Sequence, residues 1–565
     1  MDGNPKLILL GLLLLTVLPG MQANAQQGGI ADEIRQRCAG LPFEMPQLDV
    51  PAFPERKVNI TDHGAIADGF TLNTKAFVDA IHACAEAGGG TVVVPPGTWL
   101  TGPIKLESNI NLHLERGALV QFSSNIHDFP FIAGFDGKSK KYIITPLIHA
   151  YRAKNIAITG EGLIDGAGEV WRYVKKDKLT ARQWKDLVAS GGVVSDDGKE
   201  WWPSREAMGG KEYLEQAEKS GRKLTLEDYA ETREFLRPDL VDFVQCDGVL
   251  LDGTTFQNSP KFHVRPIQSE NVIIRNVKVC APWYGQNTDG IDPTSSRNVI
   301  IYNSTVDVGD DGICLKPGSI ASRQKPGPAC ENIVVADCIV YHAHGGFVIG
   351  SETYGGVHNV SVRNCIFVGT DVGLRFKSFR GNGGLVENVF VDGIQMREME
   401  TDAILFDMYY SGDAPDIEAT KDLTVRKEEP VTDRTPRLQH LVIKNIVCNG
   451  ADRAIVVNGL PEMPVKDVQF ENVSVSSKRG VIGADVEGLR FKGCRIVPTS
   501  GPVMTMIQSR DVTVDGGMFP AIPEVFMKVV GENSKGIRIL GVALKNDHKD
   551  VELGTDVAPG AVKHE

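Results

Sequence analysis

The stretch NVIIRNVKV at residues 271–279 decides the fold, because the same nine-residue pattern returns as NVIIYNSTV at residues 298–306. Each copy starts with a polar residue or glycine and then alternates apolar side chains with others. Alternation with a period of two predicts a β-strand with one buried face. Further copies begin at Asn155, Gly248, Asn332, Asn359, Asn388, His440, Asp467, Gly488, Asp511 and Gly536.

Most successive copies start about 21 to 34 residues apart, which is the period of a solenoid. One unit cannot bury its apolar face alone, whereas stacked units bury a continuous core. We therefore predict an all-β fold, namely a right-handed parallel β-helix solenoid with an N-terminal capping helix and a helical insertion. An antiparallel sandwich or a propeller is the alternative, but the hairpin or blade periodicity of those folds is not seen.

The N-terminal sequence indicates export. Lys6, the apolar run that follows it and the small residues Ala23-Asn24-Ala25 predict a signal peptide at residues 1–25. The run is too short for a transmembrane helix, and no later segment is apolar enough to span a bilayer. We expect an exported protein, periplasmic or extracellular.

The rest of the chain divides by pattern. Residues 26–57 are interpreted as a linker, 58–550 as the β-helix catalytic domain and 551–565 as a C-terminal tail. Helical spacing at 73–87 predicts the capping helix that covers the open end of the solenoid.

A polar, helix-prone stretch at about 170–236 interrupts the repeats and predicts an insertion. It is either a solvated excursion or a flap over a cleft, because it precedes the repeats that carry the acidic residues. Its Trp201-Trp202 pair is suited to stacking on sugar faces.

Composition narrows the possible partners. The net charge of -12 argues against nucleic acid and against a membrane surface. It also repels polyanions, so a site for an acidic polymer needs its own positive charge. We expect a monomer.

Of the ten cysteines, Cys338, Cys365 and Cys494 share one phase of the repeat and are interpreted as core residues rather than disulfide partners.

Acidic residues recur at one register of the central repeats. Short strands of the form Gly-apolar-x-apolar-x follow these repeats, and their alignment makes Asp289 a neighbour of Asp311 and Asp310 a neighbour of His344. Like charges so close cannot all be ionised, so at least one carboxyl should have a raised pKa. A protonated acid beside an ionised carboxylate is what hydrolysis of a glycosidic bond requires.

Two cations follow on the same predicted face. Arg375 and Lys377 alternate outward on a strand two coils beyond Asp311, where they suit the carboxylate of an anionic sugar. Other interpretations stay open: an Asp before Gly is a common turn former, a carboxylate cluster can bind Ca²⁺, and Arg-x-Lys can be a solvated strand face.

Four motifs together resemble glycoside hydrolase family 28, the polygalacturonases. They are, in order, Asn287-Thr288-Asp289, Gly309-Asp310-Asp311, Ala343-His344-Gly345 and Arg375-Phe376-Lys377. The N-terminal part resembles that family as well, through Ala67-Asp68-Gly69 and Gly88-Gly89-Gly90-Thr91. Ala343 and Phe376 depart from the family's Gly and Ile, and the large insertion departs from its pattern too.

The resemblance implies a right-handed β-helix that hydrolyses α-linked galacturonic acid in pectin with inversion. It implies that Asp310 is the general acid, that Asp289 and Asp311 activate water, and that His344 tunes the acid. For an inverting pair we expect a separation of about 6.5 to 9.5 Å between acid and base. We expect no cofactor and no metal.

The resemblance also implies residues that bind substrate. Arg375 and Lys377 would hold the galacturonate carboxylate, and Tyr410, or Tyr409, would contact the sugar one coil further on. His263, in the segment Ser259-Pro260-Lys261-Phe262-His263, is a further candidate for substrate contact.

The sequence constrains less strongly how the enzyme attacks the polymer, exo or endo, and which galacturonosyl linkage it cleaves. We predict exo action, because the insertion precedes the catalytic repeats and would close one end of the cleft. Hydrolysis of galacturonosyl linkages in rhamnogalacturonan is the alternative. A Ca²⁺-dependent pectate lyase and a non-catalytic glycan-binding β-helix remain rivals of the hydrolase.

Overall fold

The computed structural model describes residues 19–134, 142–318, 327–411, 426–519, 525–542 and 549–565. Parallel strands from successive repeats pair with one another along the chain, so the predicted parallel β-helix is confirmed. A central coil has three strands, as in Arg297–Tyr302, Thr305–Asp307 and Asp311–Leu315. The first two belong to the largest sheet, and the third belongs to a separate ladder that carries the acidic residues.

The strands of the largest sheet, numbered in chain order, are β1 (Lys57–Asn59), β2 (Gly90–Val94), β3 (Gly97–Thr101), β5 (Ile110–Leu114), β6 (Ala118–Phe122), β10 (Lys154–Gly160), β11 (Leu163–Asp165), β16 (Asp247–Asp252), β17 (Thr255–Gln257), β19 (Glu270–Arg275), β20 (Lys278–Cys280), β21 (Arg297–Tyr302), β22 (Thr305–Asp307), β24 (Cys330–Ala336), β25 (Ile339–Tyr341), β27 (Val357–Arg363), β28 (Ile366–Val368), β30 (Leu385–Asp392), β31 (Gln395–Arg397), β33 (Arg437–Asn449), β35 (Val465–Ser477), β37 (Val486–Lys492), β38 (Arg495–Pro498), β40 (Thr513–Asp515), β42 (Ile537–Leu540) and β44 (Val562–His564).

The second ladder, called here the site ladder, starts with β4 (Ile104–Lys105), β9 (Ile148–Tyr151), β15 (Val241–Val244) and β18 (Val264–Ile267). Single bridges from Val264 to Ile291 and from Ile291 to Ile313 link this part to the next. The ladder continues with β23 (Asp311–Leu315), β26 (Gly345–Ile349), β29 (Val372–Lys377), β32 (Asp402–Asp407), β34 (Arg453–Asn458), β36 (Arg479–Ala484), β39 (Met504–Ile507), β41 (Val525–Val530) and β43 (Lys549–Leu553).

Asparagine side chains explain the repeated polar position of the sequence pattern. Asn271, Asn298, Asn332 and Asn359 all have φ between 55 and 57°, a left-handed conformation that asparagine tolerates. The amide of each of the last three donates a hydrogen bond to the side-chain oxygen of the preceding one, at 3.1–3.2 Å. The turn therefore repeats as a ladder, as the sequence predicts.

The core runs along the inside of the coils. Val272, Val299 and Ile333 pair in successive strands and are fully buried. Cys338, Cys365 and Cys494 are buried, and all ten cysteines, each within the described ranges, are free thiols. Burial of each large apolar side chain contributes about 1.5–3 kcal/mol, so a long stack is held mainly by this term.

The prediction of a linker at residues 26–57 is wrong for most of its length. Ile30, Ile34 and Leu48 are buried against the outer face of the solenoid, where they contact a patch that includes Ile300 and Val334. The reason is visible in the repeat: three consecutive apolar residues in β21 and β24 put apolar side chains on both faces of the strand. A strand of that kind needs cover on its outer side too.

The prediction of a tail at residues 551–565 is also wrong. β43 pairs in parallel with β41, and β44 pairs in parallel with β42, so these residues continue the solenoid. The short strands lack the full nine-residue pattern, and backbone pairing with the previous coil determines their structure.

Helices occur at the start of the chain and in the insertion. They are α1 (Pro19–Cys38), α2 (Thr74–Glu86), α3 (Ala181–Ala189), α4 (Arg205–Lys219), α5 (Leu226–Glu231) and α6 (Arg233–Leu236), with 3₁₀ turns at Ile60–His63, Ile126–Asp128, Gly168–Val170 and Lys176–Lys178. Short antiparallel pairs involve β7 (Phe131–Ala133) with β8 (Tyr142–Ile144), and β14 (Glu200–Trp202) with β12 (Val174–Lys175) and β13 (Val193–Val194).

Helix α2 buries Phe77, Ala80, Ile81 and Cys84, and contacts β1, β2, β4 and β5 at the first coils. Its capping role stays a prediction. Helix α1 begins at Pro19, before the predicted cleavage position. Residues 1–25 lie largely outside the described ranges, so their removal stays a prediction. Across the described ranges, every helix is too short or too polar to cross a membrane.

Candidate active site

The strand register brings the predicted acidic residues together. Asp311 pairs with Gly345, which places Asp310 opposite His344, and the bridge from Ile291 to Ile313 places Asp289 beside Asp311. One oxygen from each of the three carboxylates lies within 4.8 Å of the other two. The neighbour relationships that the sequence predicts are therefore confirmed.

Two buried lysines face these carboxylates. Nζ of Lys316 lies 3.0 Å from Oδ2 of Asp289 and 3.8 Å from Oδ2 of Asp311. Nζ of Lys377 lies 2.7 Å from the same oxygen of Asp311. The two ammonium groups supply positive charge where a cation would otherwise bind, so the cluster is compensated by the chain itself.

Lys316 escaped the sequence prediction although a signal existed. It follows Leu315, and Leu315 stacks with Ile349 and then Phe376, the residue before Lys377. The two lysines thus share one phase, two coils apart. Lys316 is the last residue of its aligned Gly-apolar-x-apolar-x strand, as Lys377 is of its own, so the alignment already contained it.

His344 and an asparagine contact Asp310. Nδ1 of His344 lies 3.2 Å from Oδ1 of Asp310. The amide of Asn287 lies 3.5 Å from Oδ2, and Arg237 donates to the side-chain oxygen of Asn287 at 2.8 Å. Arg237 comes from the end of the insertion, so the insertion helps to fix the orientation of Asn287.

Burial and charge separate the carboxyl pKa values. Burial raises the pKa of Asp289 to about 7, against the opposing charge of Lys316. The pKa of Asp310 is lowered overall, because the hydrogen bond from His344 and the positive charges around Asp310, among them Lys316 and Lys377, outweigh burial. The pKa of Asp311 is lowered as well, because Lys377 and Lys316 outweigh burial. The raised pKa that the sequence predicts therefore falls on Asp289, whereas the resemblance suggests Asp310 as the acid.

Two carboxylate oxygens remain available to a bound molecule. Oδ1 of Asp289 and Oδ1 of Asp311 are buried and have no hydrogen-bond partner within the described part of the chain. Buried polar atoms are normally satisfied, so these two oxygens are free to accept hydrogen bonds from a bound water or substrate.

The separation of acid and base differs from the prediction. The three carboxylates come within 4.8 Å at their nearest oxygens, rather than about 6.5 to 9.5 Å. Adjacent coils of a parallel ladder are only about 4.8 Å apart, which brings side chains on neighbouring coils close together. At their nearest oxygens the carboxylates are thus closer than the separation expected for an inverting pair.

The predicted carboxylate-binding residues lie beside Tyr410. Its ring is 44% exposed, with Cζ of Arg375 at 5.4 Å and Nζ of Lys377 at 4.8 Å from the ring centre. Tyr409 is buried between Arg380 and Arg426 instead. The prediction that Lys377 is outward and exposed is wrong. Its side chain is only 5% exposed because it pairs with Asp311.

His263 does not contact substrate from its position. It is fully buried, and its Nδ1 lies 2.9 Å from the carbonyl oxygen of Asp289 while its Nε2 lies 3.1 Å from that of Cys280. Burial lowers its pKa to about 4, so it is neutral. The prediction was wrong because the imidazole supports the backbone that carries Asp289 from behind.

The insertion reaches the acidic residues, but its tryptophan pair does not. Trp201 is buried and donates from Nε1 to the carbonyl oxygen of Gly191, and Trp202 stacks on Tyr173 at 4.2 Å between ring centres. These contacts hold the insertion together and leave the predicted sugar stacking unsupported. The insertion contributes Lys178 instead, whose Nζ lies 3.0 Å from Nε2 of His344.

A cavity of about 400 Å³ adjoins the carboxylates on the side of the earlier coils. Leu236 and Arg237, at the end of the insertion, line it together with Lys261, Arg265 and Lys316. The cations of the last three surround the ring of Phe262, at 4.5, 5.1 and 5.3 Å from its centre. The cavity therefore combines an aromatic face with several positive groups, and it is also lined by the acidic residues Asp239, Asp242 and Glu352.

Sequence and structure comparisons agree on the relatives of this chain. It is 26% identical over 470 residues to a probable polygalacturonase of Vitis vinifera, covering 80% of this chain and 82% of that protein. It is 28% identical over 477 residues to an exo-poly-alpha-D-galacturonosidase of Dickeya chrysanthemi, covering 81% and 74%. Its structure is similar to a hyperthermoactive exopolygalacturonase from Thermotoga maritima, with a TM-score of 0.65, 29% identity and coverage of 83% and 96%.

Two family models match the chain. Residues 57–115 match rhamnogalacturonase A/epimerase, pectate lyase-like, which covers the first coils only. Residues 173–489 match glycosyl hydrolases family 28, and this span contains the insertion, all three carboxylates, His344 and both predicted carboxylate-binding cations. On this evidence the chain belongs to glycoside hydrolase family 28 and is a polygalacturonase-like glycoside hydrolase.

Proposed function

We propose that this protein is an exported, exo-acting hydrolase that releases α-linked galacturonic acid from the end of a pectic chain. The observation that carries the proposal is the cavity rich in cations that Lys316 connects to the three carboxylates. Arg237, Lys261, Arg265 and Lys316 line it, and galacturonate is a sugar with a carboxylate for such groups to bind.

Acid and base are drawn from one buried cluster. Asp289 keeps a proton below about pH 7 because burial raises its pKa to about 7, whereas the pKa values of Asp310 and Asp311 are lowered. With oxygens within 4.8 Å, one hydrogen-bonded water can pass that proton to Asp310, which delivers it to the leaving oxygen.

The attacking water is placed between Asp289 and Asp311. A water can bridge two carboxylate oxygens that lie up to about 5.6 Å apart, because each of its two hydrogen bonds is about 2.8 Å long. The nearest oxygens of Asp289 and Asp311 lie within that span, and Oδ1 of each has no hydrogen-bond partner among the described residues. Loss of the Asp289 proton to Asp310 leaves both as acceptors for water, which supports inversion despite the short spacing.

No metal is needed in this account, because Lys316 and Lys377 already neutralise the carboxylates. A Ca²⁺ ion requires six to eight oxygen ligands, and ammonium groups at 2.7–3.0 Å from the carboxylates repel it. A Ca²⁺-dependent eliminating enzyme therefore fits the cluster less well than a hydrolase.

Exo action is supported by the place of the insertion. Leu236 and Arg237 line the cavity on the side of the earlier coils, where a polymer would have to continue in an endo enzyme. The cavity volume of about 400 Å³ is close to the size of a small-molecule site rather than an open groove.

Early product profiling tests the proposal. On polygalacturonate we expect free galacturonic acid from the first time point and a slow loss of viscosity. A ladder of mixed oligomers with a rapid fall in viscosity would contradict exo action. Rhamnogalacturonan fragments serve as the second substrate, since the partial match at residues 57–115 favours that alternative, and faster cleavage there would transfer the proposal to it.

A further inference from the structure

The ammonium group of Lys178, in the insertion, lies within hydrogen-bonding distance of three acceptors. It ends the 3₁₀ turn Lys176–Lys178, and its Nζ lies 3.0 Å from Nε2 of His344, 3.2 Å from the carbonyl oxygen of Gly309 and 3.4 Å from that of Trp283. A lysine ammonium has three N–H donors and no acceptor. Each donor has one of these acceptors, so Nε2 of His344 must accept.

The tautomer of His344 follows from this contact. A neutral imidazole has one N–H and one acceptor nitrogen. If Nε2 accepts from Lys178, the proton resides on Nδ1, which lies 3.2 Å from Oδ1 of Asp310. His344 is then a neutral donor to Asp310.

We propose that Lys178 is a positioning residue that fixes this tautomer of His344 and so controls how Asp310 holds a proton. The inference rests on the proposed hydrolytic function, in which Asp310 must accept a proton before it donates to the leaving oxygen. An imidazolium beside Asp310 would keep it ionised and oppose that step. A neutral imidazole donates one hydrogen bond and leaves Asp310 able to be protonated.

The other groups around His344 favour the opposite state. Oδ2 of Asp371 lies 3.8 Å from Nε2 and attracts a proton to it, while Asp310 attracts one to Nδ1. Arg375 donates to the backbone carbonyl of His344 at 3.2 Å and does not compete for the ring. Lys178 is the cation at the ring itself, so its loss leaves two carboxylates facing an unrestrained imidazole.

Kinetics of three variants test the proposal. Lys178→Met removes the donors, Lys178→Arg keeps a charged donor, and Lys211→Met removes an exposed lysine of the same insertion. For Lys178→Met we expect kcat on an oligogalacturonide to fall about tenfold or more with KM within about threefold. Its pH profile should also differ from that of the wild type, because no ammonium group then faces Nε2 and the carboxylates of Asp371 and Asp310 remain beside the ring. Lys178→Arg should recover most of kcat, and Lys211→Met should match the wild type.

A wild-type pH profile and kcat in Lys178→Met would overturn the proposal. Failure of the wild type to cleave any galacturonan would instead overturn the proposed function. Nitrogen-15 NMR of histidine-labelled protein separates the two, with His344→Asn to assign the signal. We expect a bare Nε2 in the folded wild type, and protonation there would overturn the role of Lys178 whatever the activity or the folding of the variants.

Discussion

Nζ of Lys377 lies 2.7 Å from Oδ2 of Asp311, and both side chains are at most 5% exposed. A lysine in this position has two roles: it lowers the pKa of Asp311 and it neutralises a charge inside the protein. It is therefore part of the structure of the site as well as a candidate to bind the substrate carboxylate.

Replacement of Lys377 by Met should destabilise the protein. Asp311 would keep only Lys316 and Arg375, each at 3.8 Å, in place of the contact at 2.7 Å. Loss of one partner of a buried ion pair costs about 3–5 kcal/mol. Chemical denaturation should show a lower midpoint for Lys377→Met, whereas Arg375→Met, whose partner atoms are 3.8 Å apart, should lose about 1 kcal/mol or less. Equal losses in the two variants would contradict this assignment.

The pH dependence of kcat/KM should report the proton on Asp289. Activity needs one protonated carboxyl, so it should fall as pH rises through about 7, where Asp289 ionises. Lys316→Met removes a charge that favours the ionised form, so the falling limb should move to higher pH. The exposed Lys278→Met serves as control and should leave the limb in place. A limb that stays fixed in Lys316→Met would remove Asp289 from the proton balance.

Tyr410 and Tyr409 should differ in their effects. Tyr410→Ala should lower kcat/KM about tenfold, since the exposed ring next to Arg375 and Lys377 would be lost from the substrate site. Tyr409→Ala should chiefly lower the melting temperature, because its ring is buried between two arginines. Steady-state kinetics and thermal melts on both variants check the contrast, and a reversed pattern would contradict the choice of Tyr410.

The stereochemistry of the first product should show inversion. From an α-linkage we expect the β-anomer to form first, followed by slow mutarotation. Proton NMR during the first turnovers measures this directly. An initial α-anomer would instead mean that one of the carboxylates acts as a nucleophile, as the separation within 4.8 Å would allow in a retaining enzyme.

The central part of the site was predictable from the sequence because strand register transmits position. Once Gly290 and Gly312 are aligned, Asp289 must lie beside Asp311, and the same alignment puts His344 beside Asp310. The period of two fixes which side chains share a face. Lys316 was missed although it occupies the same position of the aligned strand as Lys377, because only the later cations of the pattern were considered.

The contacts of three other features could not be predicted, because the register of the repeats does not determine them. Lys178 reaches His344 from an insertion whose place in space depends on its own packing, such as the stacking of Trp202 on Tyr173. The cover formed by Ile30 and Ile34 depends on apolar residues on the outer face, which the strand pattern alone does not assign to a partner. His263 was a candidate because its segment resembles one that lies near the cleft in the family, but its ring faces the backbone.

The central claim is that the cluster of three carboxylates hydrolyses α-linked galacturonic acid. The most direct measurement is the rate of release of saturated galacturonic acid from an oligogalacturonide by the wild type and by Asp310→Asn. Asp307→Asn is the matched control, because Asp307 lies on the preceding strand of the same coil and pairs with the exposed His342. We predict that Asp310→Asn loses at least about a hundredfold in kcat while Asp307→Asn keeps the wild-type rate. An undiminished rate in Asp310→Asn, or an unsaturated, ultraviolet-absorbing product from the wild type, would contradict the claim.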